Sequence, residues 1–402
     1  MEKKSFVVGP ETERMVGLGH PWIIADRYTR SWPKGKAGDL IPLHNAKNEL
    51  LGTALYEPGE RIVARLLGFD PLSLTQSWLR DRLEAAAALR RNHALWEDGT
   101  DAFRVVNGEG DGLPGLTIDR YGDFILLQLY TRSWEPHLSS LCQAVEKVFQ
   151  PVGIYEKFRP QQTRQLAGRG GNKKLSRLAG GEPAPRPLVV QENGLKYQVD
   201  LNEGLNTGLF FDQRQNRIEI RQRAAGKKVL NLFAYTGSFS VAAAAGGASR
   251  VVTVDVSPTY LDWARENFNI NRLNPKRHDF LQGDCFEVVK SMRQSGDRFD
   301  LVVMDPPSFS TTSKSRFTTT GGTADLLTQV LELLAPGGVL MCSSNHQKVD
   351  FAAYLKELRK GALAAGTSLQ VIKTTGQPED FPFPVTFPEG QYLKCVTCIK
   401  TA

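Results

Sequence analysis

From about residue 198 onward the chain alternates short apolar runs with segments of helical period. KKVLNLF, VVTVD, RHDFLQGD, FDLVVMD and GGVLMCSS read as strands. SFSVAAAAGGA, SPTYLDWARENFNINR, FEVVKSMRQ, a stretch near Asp325–Leu334 and FAAYLKELRKGALAAG read as helices. Strands that are apolar throughout and separated by helices have both faces covered, which implies a parallel sheet in an α/β architecture. In such an open sheet ligands collect beyond the carboxyl ends of the strands.

The residues before this layer have another texture. GDLIPLHN, ELLGTALYEP and RIVARLLGF are brief apolar runs bounded by Gly, Pro and Asn, the signal of a small β domain over residues 1–73. In QSWLRDRLEAAAALRRNHALW, residues Leu79, Leu83, Ala86 and Ala87 follow a helical spacing. The basic residues of this helix can face RNA, although charged stripes are usually solvated faces. Residues 101–197 return to strands, with NGEGDGLPG and DRYGD as turns, then a helix over Pro136–Phe149 and the strand-like VGIYEKF. Between Lys157 and Arg186 lie eight basic residues and one acid, Glu182. AGRGGNKK within that stretch is too polar and Gly-rich to pack a core, so a mobile, phosphate-contacting loop is expected there. The organisation is therefore 1–73, 74–197 and 198–402.

A chain of 402 residues is long enough for two or three domains. No run approaches the ~18 apolar residues of a membrane span, and MEKKSF lacks the apolar core of a signal peptide. Five cysteines give no disulfide framework and suit a reducing cytosol, so a cytoplasmic protein is expected. CVTC holds Cys395 and Cys398 at i and i+3 of one strand, on opposite faces, and no second Cys/His pair offers a zinc site. A net charge of +7 permits a polyanionic partner without requiring one.

The strand ends narrow the chemistry. The first strand ends in AYTGSFS, where Gly237 lets backbone N–H groups approach a ligand closely. The second ends at Asp255, placed to accept hydrogen bonds from ribose hydroxyls. The third ends in QGDCF with Asp284 near an adenine amino group, the fourth in MDPPSF, and the fifth in CSSNH. The loop carries one glycine rather than Gly-x-Gly-x-x-Gly, and no Gly-x-x-x-x-Gly-Lys-Ser/Thr occurs, so neither a pyrophosphate cradle nor a P-loop is present. Carboxylates for ribose and adenine without such a cradle fit S-adenosylmethionine (SAM).

On these residues the C-terminal part resembles a class I SAM-dependent methyltransferase. The whole chain resembles the 23S rRNA cytosine-C5 methyltransferase I family through GHPWI at 19–23, EGDGLPGLTIDRYGDFILLQL at 109–129, NTGLFFDQRQNR at 206–217, DPPSF at 305–309 and FPEGQYLK at 387–394. The resemblance implies a small PUA-like RNA-binding domain, a mixed α/β middle domain and a Rossmann-like catalytic sheet. It implies that Asn231, Phe233, Tyr235, Thr236, Gly237, Asp255 and Asp284 bind the cofactor, with Phe211, Gln213 and Arg214 lying over it. The implied partner is 23S rRNA or a large-subunit assembly intermediate, and a homodimer is compatible with the family.

The chain departs from that family at one position. Methylation of cytosine C5 needs a thiolate that adds at C6, and the family carries it at the end of the fifth strand. Aligning on Gly337–Gly338 puts Asn345 there instead. Cys342 lies three residues earlier, ~10 Å back along the strand and on the other face. It reads as a core cysteine, and Cys285, beside Asp284, as a packing residue. His346 reads as an exposed loop residue. DPPSFSTTSK and CSSNHQK are more similar to the N7-guanine-methylating half of the bifunctional 23S rRNA guanine methyltransferase. Without a thiolate, a base nitrogen can attack the methyl directly, and the protein supplies alignment and field. Asp305 with the Pro306–Pro307 carbonyls would then orient the base, Phe309 would stack on it, and Asn345 would read its edge. Three alternatives stand beside this reading: a cytosine-C5 enzyme using Cys342 or no thiol, a non-catalytic RNA-binding protein with a vestigial fold, and an enzyme acting on a small metabolite.

Overall fold

The computed structural model describes residues 6–94, 99–159, 176–204, 206–307, 309–311 and 316–401, with 309–311 and 316–321 described by their backbone alone. The N-terminal sheet joins β1 (Phe6–Val7), β2 (Trp22–Ile24), β3 (Leu40–His44), β4 (Leu50–Tyr56) and β5 (Ile62–Gly68) in the order β1-β3-β4-β5-β2. The three longer strands coincide with the apolar runs of the sequence. β1, the helix Pro10–Gly17 and β2 do not stand out there, because a two- or three-residue strand has no readable alternation.

The middle sheet has the order β10-β9-β8-β7-β6, from β6 (Ala102–Asn107), β7 (Leu116–Tyr121), β8 (Phe124–Leu129), β9 (Gly153–Phe158) and β10 (Ser176–Gly181). The helix Gln76–His93 buries Leu79, Leu83, Ala86 and Ala87 against it, as their spacing predicts. The outer face of this helix mixes Arg80, Asp81 and Glu84, with an exposed Arg80–Glu84 pair, so it is a solvated face of mixed sign. The helix expected over Pro136–Phe149 begins at Leu138, after a 3-10 turn at Arg132–His137. Part of the basic stretch expected as a loop is strand: Ser176–Gly181 pairs antiparallel with β9, which supplies its backbone partners. Residues 160–175 of that stretch lie outside the described residues.

The first two sheets share a core, since Leu55 and Leu67 pack among Leu83, Val105, Leu116 and Trp134. Their junction is pinned by Glu57, which takes Arg65 Nη1 at 2.7 Å, Arg132 N at 2.8 Å and the Thr131 hydroxyl. A hairpin of β11 (Leu188–Glu192) and β12 (Leu195–Val199) leads into the last sheet, and β12 straddles the expected boundary at 197/198.

The last sheet has seven strands: β13 (Lys228–Leu232), β14 (Arg250–Asp255), β15 (Asp279–Gln282), β16 (Phe299–Met304), β19 (Leu334–Ser344), β20 (Ser368–Thr375) and β21 (Lys394–Thr401), the short hairpin β17 (Phe309–Thr311) with β18 (Arg316–Thr318) being separate. The order is β15-β14-β13-β16-β19-β21-β20, parallel except for β21. Strand order reverses between β13 and β16, so a crevice opens at their carboxyl ends. Apolar side chains fill both faces: Leu230, Leu232, Val302 and Leu340 on one, Val229, Val251, Val303 and Met341 on the other. Among the described residues no helix is long and apolar enough to cross a membrane.

Candidate active site

Register aligns the strand ends. Leu232 sits opposite Val254 and Met304, Asp255 opposite Gln282, and Met304 opposite Cys342. The loops after β13, β14, β15, β16 and β19 therefore emerge at one edge of the sheet, which gathers Gly237, Asp255, Asp284, Asp305 and Asn345.

The loop after β13 is bent in an unusual way. Phe233, Tyr235 and Gly237 all have positive φ, at 56°, 51° and 74°. Two non-glycine residues in this region within three positions mark stored strain of the kind that clusters at ligand sites. Tyr235 N donates to Asp255 Oδ2 at 2.8 Å, tying the loop to β14, and Ser257 N donates to Asp255 Oδ1 at 2.9 Å. Gly237 has no room for a side chain: a Cβ would lie 2.7 Å from Ala264 Cβ. Gly237→Ala is therefore expected to cost about 1–3 kcal/mol of stability through strain and overlap, read as a lowered denaturation midpoint. An unchanged midpoint would show that the helix of Ala264 shifts freely.

Asp255 is partly buried, which raises its pKa, while its backbone donors pull the other way. No cation pairs with it among the described residues. A carboxylate has about four acceptor positions, and backbone donors do not fill all of them, so its chemistry suits hydroxyl donors, as on a ribose. Asp284 caps the helix Cys285–Gln294, its Oδ1 accepting Phe286 N at 3.0 Å. Thr236 donates to Gly208 O at 2.6 Å, which fixes the segment Gly208–Gln213 beside the loop. Asn231 lies beneath, buried, its Nδ2 donating to Ser240 Oγ at 2.9 Å. The hydrogen-bonding chemistry of these residues fits an adenosyl group.

The end of β16 forms a second focus. Ser343 donates its hydroxyl to Asp305 Oδ1. Gln213 donates to Ser343 Oγ at 3.3 Å, and its own Oε1 accepts Asn216 Nδ2 at 2.6 Å. Burial pushes the Asp305 carboxyl up to about 6, with the Ser343 bond opposing and the nearby Asp212 charge adding to the rise. Asp212 itself accepts the Tyr392 hydroxyl at 2.8 Å, and burial raises its pKa as well. Sequence reasoning passed over Asp212, Tyr392 and Ser343. The signal was present, because Asp212 lies between Phe211 and Gln213 in FFDQR and Tyr392 within FPEGQYLK.

Other expected residues fall as follows. Phe211 is buried against Tyr121, ring centroids 4.9 Å apart. Arg214 is spent on protein groups, namely Asp380 Oδ1 at 2.7 Å, Ala102 O at 3.0 Å and Glu192 at 3.5 Å. It ties β6, β11 and the segment before β21 together. Pro306 is buried and Pro307 exposed, while Phe309 is described by its strand backbone, its side chain lying outside the described residues. Asn345 is exposed just beyond β19. His346 is partly buried rather than exposed, and its carbonyl takes Lys394 Nζ at 2.8 Å.

Cys342 faces the other side of the sheet from Ser343, wholly buried, its sulfur 2.8 Å from the Tyr354 hydroxyl. Burial raises its pKa far out of the reactive range. Cys395, opposite Ser343 on β21, does share the face of Asp305, but it too is buried and its pKa raised. Cys395 and Cys398 enter opposite cores, as their spacing requires. Among the described residues no group of three or more His, Cys, Asp or Glu is gathered to hold a metal ion.

Comparison with known proteins identifies the family. The chain matches the S-adenosylmethionine-dependent methyltransferase model over residues 104–389 and a PUA-like domain over 6–69. It is 34% identical over 393 residues to the ribosomal RNA large subunit methyltransferase I of Escherichia coli, covering 98% of each chain, with the same figures for the protein of that name from Shigella boydii. A crystal structure of a methyltransferase complexed with SAH superposes with a TM-score of 0.88 at 30% identity, covering 99% of this chain and 100% of that one. A SAM-dependent methyltransferase from Streptococcus mutans gives 0.85 at 29% identity over the same shares. The family model over residues 104–389, on this sheet order and behind a PUA-like domain, thus places the chain in the family of S-adenosylmethionine-dependent methyltransferases.

Proposed function

We propose that this SAM-dependent methyltransferase acts on RNA of the large ribosomal subunit, in the cytosol, and transfers the methyl group to a nitrogen of a nucleobase. The substrate class rests on the ribosomal RNA large subunit methyltransferase I relatives, which align over 98% of the chain, PUA-like domain included. The atom class rests on one observation: the fifth-strand end offers Ser343 to the site, with Asn345 just beyond it, and no thiol.

SAM, when bound, supplies an electrophilic methyl group. The chain's own part is to hold and orient. Asp255 and Asp284 keep the adenosyl end in place, and the Phe233–Gly237 loop sets the wall beside it. The target nucleotide is unstacked into the crevice, because its reactive atom must meet the methyl in line. Asp305, ionised and steered by Ser343, accepts a hydrogen bond from the base and favours the positive charge that develops on it. Asn345 has both donors and an acceptor for the base edge.

Nucleoside mass spectrometry of ribosomal RNA from cells with and without the gene tests this directly. Loss of one N-methylated nucleoside is the expected result, and loss of 5-methylcytidine would overturn the nitrogen assignment. Cys342→Ser and Cys395→Ser are expected to retain turnover within a few-fold of the parent. A loss of a thousand-fold in either, in protein that still folds, would restore the covalent route. RNA affinity is also expected to fall with salt, one counterion released for about each phosphate held; a salt-independent binding curve would remove RNA as the substrate.

A further inference from the structure

We infer that the rim of this site carries a second nucleotide subsite, where Phe210 stacks on a base flanking the target and Arg159, backed by Lys157, faces its phosphate. The inference rests on the RNA reading above and adds to it the place where the strand is gripped.

Three rings line the rim. Tyr235 stands between Phe210, at 5.5 Å between centroids, and Tyr260, at 4.5 Å and edge-on. Phe210 is 42% exposed and Tyr260 37%. Tyr235 is held in place through its own N–H on Asp255, so the two open rings have fixed positions beside the strand-end crevice. Two half-open rings set side by side at a crevice form a contiguous apolar face that a ligand can cover. Every nucleobase has a π face, and an aromatic rim binds single strands with little regard to sequence.

Positive charge sits at the same place. Arg159, just past the end of β9, donates to Asn206 Oδ1 at 2.6 Å, four residues before Phe210. It is near enough to Tyr235 that its charge opposes the rise burial imposes on that phenol. Two residues back along the chain, Lys157 is completely buried, and its Nζ has no hydrogen-bond partner among the described residues. Burial and the like charge of Arg159 lower its pKa to about 8, while Asp200 acts the other way. The ammonium is thus still largely charged at neutral pH. An enclosed, unpartnered ammonium is costly in a native fold and calls for a reason. A phosphate drawn to Arg159 supplies the counter-charge.

The test measures binding of octa-adenylate RNA and, separately, of SAH to the full chain. Phe210→Ala is expected to weaken RNA binding about ten-fold and leave SAH affinity unchanged, with Phe210→Tyr restoring it. Lys157→Met is expected to weaken RNA binding and make the salt slope shallower by about 0.7; because it removes an unpaired charge, its melting point should not fall. RNA binding equal to the parent in both variants overturns the subsite alone. Weakened SAH binding with intact RNA binding assigns the ring to the cofactor and also overturns it. A parent protein that binds no RNA removes the substrate reading, and the subsite with it.

Discussion

Asp305→Asn is expected to yield a protein that is more stable than its parent at pH 8 and nearly inactive. The carboxyl lies at the end of β16, partly buried, and burial lifts it to about 6 against an ordinary 3.8. A group raised in this way binds more protons folded than unfolded between those two values. Its contribution to stability therefore grows as pH falls from above 6 towards 4, and is least at pH 8. A shift of about two units corresponds to at most about 3 kcal/mol, and roughly half that once solvent access is allowed for. Asn keeps the shape and can accept the Ser343 hydroxyl, but cannot ionise, so it escapes the cost. Denaturation at pH 8 should show a gain of roughly 1–2 kcal/mol that vanishes near pH 4. Methyl transfer should fall by roughly 10²–10³, the size of losing one preorganised electrostatic group, while SAH affinity is retained. The parent's transfer rate should fall about ten-fold per pH unit below about 6. A variant less stable than its parent at pH 8, or a parent rate flat from pH 8 to pH 5, defeats this account of Asp305.

That conflict between stability and use also explains which parts of the molecule were readable in advance. Strands such as VLNLF and LVVM declare themselves, because their residues are apolar on both faces and flanked by helices. Gly237, Asp255, Asp284 and Asp305 were locatable for the same reason: strand ends are set by local pattern, and the sheet converges them. β20 was not, because it is an exposed edge strand with no buried stripe to give it a period. Partnerships across long stretches of chain were the harder part. Nothing near Arg214 in sequence predicts that Asp380, 166 residues away, will claim it. Nor does local pattern reveal that Tyr392, 180 residues on, closes over Asp212. Such residues become visible only when the separate sheets have packed, and polar residues at those junctions look like any other surface charge.

Asp380 is where that packing should prove most sensitive. It is fully buried, its Oδ1 taking Arg214 Nη1 at 2.7 Å and its Oδ2 accepting Arg104 N at 3.0 Å. Its carbonyl accepts Arg90 Nη2 at 2.8 Å, and Arg90 is in turn held by both oxygens of Asp111 at 2.5 and 2.9 Å. One residue of the segment before β21 thereby links the helix Gln76–His93, strand β6 and the helix Arg214–Arg223. Asp380→Ala leaves the Arg214 guanidinium enclosed, with Glu192 at 3.5 Å as its nearest acid. Removing one member of a buried pair typically costs about 3–5 kcal/mol, most of it the stranded charge rather than the lost bond. Urea denaturation followed by tryptophan fluorescence should show a loss of that size. The pair Arg293–Glu332, exposed on both sides at 2.6 Å, supplies the contrast: Glu332→Ala should cost less than about 1 kcal/mol. Because the cost lies in the charge left behind, Asp380→Leu combined with Arg214→Met should recover a large part of it, a coupling that the double-mutant cycle reads directly. If Asp380→Ala costs no more than the surface pair, these elements are held by their apolar cores alone and Arg214 is available for another role.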